Sequence, residues 1–525
     1  MVNLTAHNSL EVVCRLRPSS STKTEIEDSV IFVDEEHVQL NAPPDVKNLK
    51  SNKNLYKFGF VFDPYEEQKT IFQRTCLDLI EKFLQGENSL LFTYGVSGSG
   101  KTYTMTGNYE DPGILPRLAD VLFNSLPNVA AKCIFKNEGK NNIKIQEVNE
   151  YIKDFKELTK TQKYINMIKD SELYFNRIID ITKLKTFDED KIATVFVSYV
   201  ELYNQYVYDL LDDDSSVRKE VKLGPNGVAI IENVVEIEVS SSKEIMAIFE
   251  KAQVKRRTAE TALNSTSSRS HSIFMIRLVM TDLNDNETYP VMNNNKIVQS
   301  KIFLVDLAGS ERAKRSNAEG ERLTEANAIN NSLLTLRKCF NALKYNQRKK
   351  NKVVVPYREN KLTTLFKTFF EGSGYIRMII CVNPSVEDYD ENVQVLSFAQ
   401  SSQEVNIHVD TKMEKTYNSI GGEFHFPRRF IRKWFNDANR TFEDKAYGLK
   451  DFLVSRLNTD IWKACSDLRN EILTNNCYRD LLLLKLDDSK NQLESVKKAL
   501  NESKERINSL YITKDKLKIL SYNKY

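Results

Sequence analysis

Short apolar runs punctuated by proline and glycine alternate with helix-period stretches along most of the chain. Residues 10–16 read as a strand closed by Arg17-Pro18, because proline has no N–H to give a central ladder. Residues 56–62 alternate in part and stop at Asp63-Pro64, and Ile71, Cys76, Leu79, Ile80 and Phe83 then follow the helical period. Residues 89–94 are apolar and aromatic and run straight into a Gly-rich turn, which makes a strand, loop and helix unit. Further strands are predicted at 194–202, 272–281, 301–307 and 377–382, with helical patterns between several of them. The alternation predicts an α/β fold, a buried sheet covered by helices on both faces.

Two stretches depart from that rhythm. Residues 128–191 are rich in Lys, Asn and Glu, with weak helical periodicity near 145–168, and are longer than a plain connection. Their large apolar residues are too sparse for a separate core, so they read as an insertion. From about Thr411 no further α/β pattern occurs: 418–426 reads as loop, and Pro427-Arg428-Arg429 opens a charged, helical-looking region containing Trp434 and Trp462. Leu486, Leu493, Leu500 and Ile507 then recur at heptad spacing, with Val496, Leu510 and Leu517 in complementary positions and Ser503 as a polar gap. These letters predict a short coiled coil over 481–520; a single amphipathic helix packed on the main domain would show the same pattern.

Composition narrows the class. With 41% hydrophobic and 28% charged residues in 525, collagen-like, mucin-like and wholly disordered chains are excluded. Lys+Arg 75 against Asp+Glu 72 leaves a formal charge of +3, too balanced for nucleic-acid binding by bulk electrostatics, so any charged partner is met by a local patch. Cys14, Cys76, Cys133, Cys339, Cys381, Cys465 and Cys477 form no C-x-x-C pair and the histidines no ligand cluster, which favours neither a zinc site nor a disulfide framework and fits a reducing compartment. The N-terminus lacks a basic stretch followed by an apolar one, and no apolar run approaches the roughly 20 residues of a membrane span. The expectation is a soluble, intracellular protein without a membrane partner.

The sharpest chemical signal is Gly95-Val96-Ser97-Gly98-Ser99-Gly100-Lys101-Thr102, which matches G-x-x-x-x-G-K-[ST] between a predicted strand and a helix. Glycines in such a loop turn backbone N–H groups inward around phosphate oxygens, and the helix N-terminus adds its positive end. Lys101 then reaches the β- and γ-phosphates, and the Thr102 hydroxyl is a ligand for Mg²⁺. A second cluster, Asp306-Leu307-Ala308-Gly309-Ser310-Glu311, ends an apolar strand: its carboxylate can hold a metal-bound water, and Gly309 can offer its N–H to a phosphate. Taken alone, Asp-x-x-Gly is also a common turn. A third, Asn264-Ser265-Thr266-Ser267-Ser268-Arg269-Ser270-His271, is dense in hydroxyls and by itself reads equally as a polar loop.

These three clusters, in this order, resemble the nucleotide site of the kinesin motor family: P-loop, switch I as N-x-x-S-S-R-S-H, and switch II as D-L-A-G-S-E. Arg15-Leu16-Arg17-Pro18 is similar to the family's adenine-side R-x-R-P, and the run from Val355-Pro356-Tyr357-Arg358 to Lys361-Leu362-Thr363 to its V-P-Y-R-[DE]-x-K-L-T segment. Finer features, among them Gly113-Ile114-Leu115-Pro116-Arg117, the long insertion and Cys381-Val382-Asn383-Pro384, resemble the mitotic kinesin-like subfamily, the motor subunit of centralspindlin. Val96 and Ser97 stand where many kinesins have Gln and Thr.

The resemblance implies a P-loop NTPase motor domain with a central, mostly parallel sheet over 1–405, a neck linker and partner-binding region over 406–480, and the coiled coil. It implies ATP and Mg²⁺ as cofactors. Arg15, Arg17, Pro18, the run from Gly95 through Val96, Ser97, Gly98, Ser99, Gly100, Lys101 and Thr102 to Tyr103, and Asn264 would hold the nucleotide. Thr102 and Ser268 would ligate Mg²⁺, with Asp306 acting through water. Ser267 and Gly309 would face the γ-phosphate, and an Arg269–Glu311 ion pair would close the switches and relay a proton.

Residues 327–343 read as a helix, followed by Lys344, Arg348, Lys349, Lys350, Lys352, Arg358, Lys361 and Lys367, a basic patch for which charge alone would make nucleic acid as good a partner. The resemblance sets the region of Lys344, Arg358 and Lys361 against the acidic surface of tubulin, and no base-stacking aromatic module interleaves it, which favours microtubules over RNA or DNA. It further implies a microtubule-stimulated, plus-end-directed motor of the spindle midzone and cytokinesis, a homodimer through 481–520, and a Rho-GTPase-activating partner on 411–480. Its implied location is cytoplasm and cytoskeleton, midzone and midbody in dividing cells and the nucleus in interphase. A non-motile, nucleotide-regulated microtubule crosslinker is the alternative. A GTPase would need N-K-x-D, and Asn360-Lys361-Leu362-Thr363 lacks the Asp.

Overall fold

The computed structural model describes residues 9–19, 28–43, 53–139, 142–147, 150, 153–154, 177–224, 227–262, 270–283, 290, 293–311 and 321–407. Apart from 150 and 153–154 these fall in one compact unit, described here. The expected partner-binding region over 411–480 and the coiled coil over 481–520 lie outside the described residues, as does almost all of the periodicity near 145–168.

Ten strands form the main sheet: β1 (Leu10–Leu16), β2 (Phe60–Phe62), β3 (Ser89–Tyr94), β4 (Lys191–Tyr203), β5 (Tyr206–Asp209), β6 (Arg218–Lys219), β7 (Ile237–Val239), β8 (His271–Asp282), β9 (Val298–Asp306) and β10 (Tyr375–Val382). Their order is β6-β5-β4-β8-β9-β3-β10-β1-β2, with β7 also pairing β4. From β9 to β2 neighbours are parallel, and from β6 to β9 they are antiparallel. The sheet is therefore mixed rather than mostly parallel. β4 turns into β5 through Asn204-Gln205, both at positive φ (47° and 66°), a hairpin that needs no crossover, and β8 runs antiparallel to both of its neighbours, β4 and β9.

Helices cover both faces. One carries α1 (Gln68–Leu84), α2 (Lys101–Thr106), α3 (Ile114–Ser125) and α4 (Ser242–Ala262), packed on Phe274, Ile276 and Leu278 of β8. The other carries α5 (Glu321–Arg348), α6 (Lys361–Leu365), α7 (Lys367–Phe370) and α8 (Tyr389–Gln403), packed on Ile273 and Met275. The period of two in β8 thus feeds alternate residues to two cores, and every position but its last is buried.

The 56–62 run is two strands rather than one. Lys53–Lys57 joins Val30–Asp34 and His37–Asn41 in a separate three-stranded sheet, and the chain crosses to β2 at Gly59, where an added Cβ would lie 3.2 Å from the Val12 carbonyl. The insertion begins as a hairpin, Phe135–Gly139 with Asn142–Ile145. Its entry is pinned by a buried Lys132–Glu244 ion pair (2.9 Å) and by the Cys133 N–H donating to Glu238 (2.7 Å).

Candidate nucleotide site

The sheet brings the two described motifs side by side. β3 and β9 are parallel neighbours, with Thr93 opposite Asp306, so the Gly-rich loop after β3 and the cluster after β9 leave the same edge. Gly95, Gly98 and Gly100 hold φ of 155°, 78° and 97°, a backbone that side chains rarely adopt. At Gly95 space forbids one as well, since a Cβ would lie 2.1 Å from the Cys381 carbonyl of β10.

The loop closes around Lys101, whose ammonium donates to the carbonyls of Gly95 (3.0 Å) and Val96 (2.8 Å). Burial pulls its pKa below the usual lysine range, against the opposing pull of Asp306 and Glu311. Thr102 donates its hydroxyl to Asp306 Oδ2 at 2.6 Å, and Thr93 donates to Oδ1 at 3.2 Å. A hydroxyl beside a carboxylate at the loop's exit is a hard-oxygen donor set, which fits Mg²⁺. Ser310 N–H donates to the Gly95 carbonyl (3.1 Å), and Glu311 accepts from the Ser97 amide (2.9 Å) and hydroxyl (2.5 Å). Gly309 lies under that bridge: a Cβ there would meet Glu311 Oε2 at 2.2 Å and Ser97 Oγ at 2.4 Å.

On the opposite rim Arg15 donates to Gln68 Oε1 and Thr104 Oγ1, each at 2.8 Å, and its guanidinium lies 5.3 Å from the centre of the half-exposed Tyr103 ring. Arg17 donates to the Gly98 carbonyl at 2.5 Å, and Pro18 follows on the exposed edge. Ser99 donates to the Val96 carbonyl (2.7 Å) and so shapes the loop from within.

Asn264, Ser267, Ser268 and Arg269 lie outside the described residues. Their motif resumes at Ser270, which is held by Arg256 (Nη2 to Oγ, 2.9 Å) and donates to Glu201 in a short hydrogen bond. His271 then links it to the neighbouring cluster, accepting the Ala308 N–H at Nδ1 (3.0 Å). Gln68, Thr93, Thr104 and the linking role of His271 are additions that motif reading missed. Thr93 and Thr104 flank the P-loop letters and could have been flagged by position, whereas Gln68 has no local signal.

The family description for the kinesin motor domain matches residues 15–405. The chain belongs to the kinesin motor family. The Mus musculus kinesin-like protein KIF23 is 40% identical over 413 residues, a match covering 75% of this chain and 43% of that protein, so this chain spans less than half of that relative's length. A solved kinesin 6 structure superposes with a TM-score of 0.64 at 41% identity, covering 75% of this chain and 98% of that one. A KIF14 dimer solved with AMP-PNP in complex with a microtubule superposes at 0.56 and 26% identity, covering 78% and 98%. The kinesin motor-domain family is one of P-loop ATPases.

In this kinesin the expected track cations differ in availability. Lys344 pairs with Glu404 (2.9 Å), which also takes Arg348, and Lys361 pairs with Glu220 (3.3 Å). Arg358 is exposed and has no ion pair among the described residues.

Proposed function

We propose that this kinesin hydrolyses ATP at the β3/β9 edge, faster on microtubules, and moves toward their plus ends. The observation that carries the reading is the joint between P-loop and switch II: Thr102 on Asp306 and Ser97 on Glu311, over a Gly309 that has room only for hydrogen. A γ-phosphate seated between those strands would compete for both contacts, so its arrival and loss would change how the two loops are joined.

In this reading the Gly95–Thr102 loop cradles the phosphates, Lys101 exchanges its two carbonyl partners for phosphate oxygens, and Arg15, Arg17, Pro18, Tyr103 and Asn264 receive the base and sugar side. Thr102 and Ser268 would hold Mg²⁺, with Asp306 acting through water, and the ion would supply charge neutralisation at the phosphates. Ser267 and Gly309 face the γ-phosphate. Arg269 and Glu311 close the switches, Glu311 leaving Ser97 to do so.

The sequence resemblance carries the further reading of a role on the spindle midzone and in cytokinesis, with a homodimer through 481–520 and a Rho-GTPase-activating partner on 411–480, while the likeness to a KIF14 dimer solved on a microtubule supports its microtubule part. Steady-state hydrolysis with and without polymerised tubulin, alongside Lys101→Ala, tests the enzymatic core. Tubulin raises the wild-type rate and the variant is inactive; a rate indifferent to both overturns the reading. Surface gliding by the full chain separates a motor from a static crosslinker, and a pull-down with the 411–480 segment tests the partner.

A further inference from the structure

The insertion rejoins the motor core through residues 177–184, and this return leg is fastened to α3 twice. In the first clamp Arg177 grips Asp120 through both guanidinium nitrogens, each at 2.5 Å, with side chains 4% and 1% exposed. Asp120 also accepts the Asp180 N–H (3.0 Å), a main-chain contact that does not depend on Arg177. In the second, Asp180 (2% exposed) takes Arg117 Nη1 at 3.1 Å. That guanidinium also donates from Nε to the Pro112 carbonyl (2.9 Å) and from Nη2 to Asp111 (3.3 Å).

The second clamp continues. Asp111 Oδ2 accepts the Gln68 N–H at 3.4 Å, the first turn of α1. Gln68 donates its amide to the Tyr103 carbonyl (2.6 Å) and accepts Arg15 at 2.8 Å. An unbroken polar path therefore runs from the insertion to the Arg15 side chain and the Tyr103 main chain, which the proposed function sets on the base side of the nucleotide. Its weakest step is the 3.4 Å contact and its stiffest are the buried charge-assisted ones. Arg117 is divided between a deep carboxylate and a half-exposed one, so neutralising Asp180 lets it swing to Asp111 and shifts the 107–113 loop that Gln68 reads.

We propose that Asp180 of the insertion is a positioning residue for nucleotide affinity, acting through Arg117, Asp111 and Gln68 on Arg15 and Tyr103. This rests on the base-side role given to Arg15 under the proposed function. The test measures equilibrium binding of a fluorescent ADP analogue and of tripolyphosphate to the full chain, with KM and kcat for ATP, in wild type, Asp180→Asn, Arg117→Lys and Arg177→Gln. Asp180→Asn weakens ADP about tenfold and raises KM more than it lowers kcat, while tripolyphosphate affinity stays within about twofold. Arg117→Lys keeps the charge but not the fork and weakens ADP about threefold. Arg177→Gln lowers the melting temperature yet leaves ADP affinity within about twofold. Unchanged ADP affinity in both Asp180→Asn and Arg117→Lys, an equal loss of tripolyphosphate, or an equal ADP loss in Arg177→Gln overturns the proposal. Wild type that binds neither ligand overturns the P-loop reading itself, and the proposal with it.

Discussion

His271 Nδ1 accepts the backbone N–H of Ala308 at 3.0 Å while its Nε2 lies 2.7 Å from the Ser332 hydroxyl, so one neutral imidazole joins β8, the switch II segment and α5. Accepting at Nδ1 places the ring proton on Nε2, which donates to Ser332. A second proton would have to point at the Ala308 N–H.

Burial, aided by the charges of Arg256 and Lys101, pushes the His271 pKa down from 6.5 to about 3. The unfolded chain takes up a proton near the ordinary value and the folded one does not. The stability from this site is therefore complete above 6.5 and is lost as pH falls from there toward about 3. Between pH 7 and pH 5 the loss is about 2 kcal/mol. His271→Gln can make the same two hydrogen bonds without titrating, so urea unfolding of the variant has a flatter acid limb than wild type. Parallel curves would show that His271 is protonated normally in the fold.

Gly309→Ala tests the joint between the loops. Gly309 is absent from the positive-φ glycines, so backbone strain is not at issue, and the added Cβ acts by displacing Glu311 from Ser97. Hydrolysis falls by at least about tenfold while ADP binding is retained, because the clash falls on the Ser97 and Glu311 side chains and not on the loop's backbone N–H groups. Steady-state rates and fluorescent-ADP titration check this, and wild-type turnover in the variant would remove Gly309 and Glu311 from the chemistry.

Much of this was legible from the chain, for identifiable reasons. Strands Leu10–Leu16 and Ser89–Tyr94 lie where the apolar runs place them, since both are buried on two faces and end at turn signals. Strand direction was not legible, because a period of two is the same in parallel and antiparallel ladders and direction is set by which strands the chain brings together, as where β8 enters between β4 and β9. Val30–Asp34 escaped notice because Ile31 and Val33 are apolar yet exposed, which blurs the alternation, and His37–Asn41 because it has only two buried apolar positions, Val38 and Leu40. In the site, the P-loop and switch II letters are local and were readable, while Arg15–Gln68 joins residues 53 positions apart and exists only once the sheet has formed.

The expected track face gives an ordering between two cations, Arg358 and Lys344. A charge already neutralised by a neighbour has less to offer an acidic partner than an exposed one, and Lys344 is shared with Glu404. Arg358→Ala therefore raises the half-saturating tubulin concentration by about fivefold, and Lys344→Ala by less than about twofold, at low salt. Cosedimentation and tubulin-stimulated turnover measure both. A larger effect from Lys344 would mean that the Glu404 pair opens on the track.

Glu201 and Arg256 set how firmly the end of switch I is held. Arg256 Nε donates to Glu201 Oε1 at 3.0 Å with the guanidinium 3% exposed, and both residues hold Ser270, immediately after Arg269. Glu201→Gln removes the largely buried carboxylate that faces that guanidinium and costs about 3 kcal/mol of stability. The exposed Lys222–Glu232 pair is a control of the same chemistry at the surface, and Lys222→Ala costs less than about 1 kcal/mol. Because Ser270 loosens with Glu201→Gln, its tubulin-stimulated turnover falls further than its ADP affinity. Thermal unfolding and turnover, measured on the same preparations, separate the two effects. Equal stability losses in both variants would make the largely buried Glu201–Arg256 pair worth no more than a surface one, and an unchanged rate in Glu201→Gln would free switch I from this anchor.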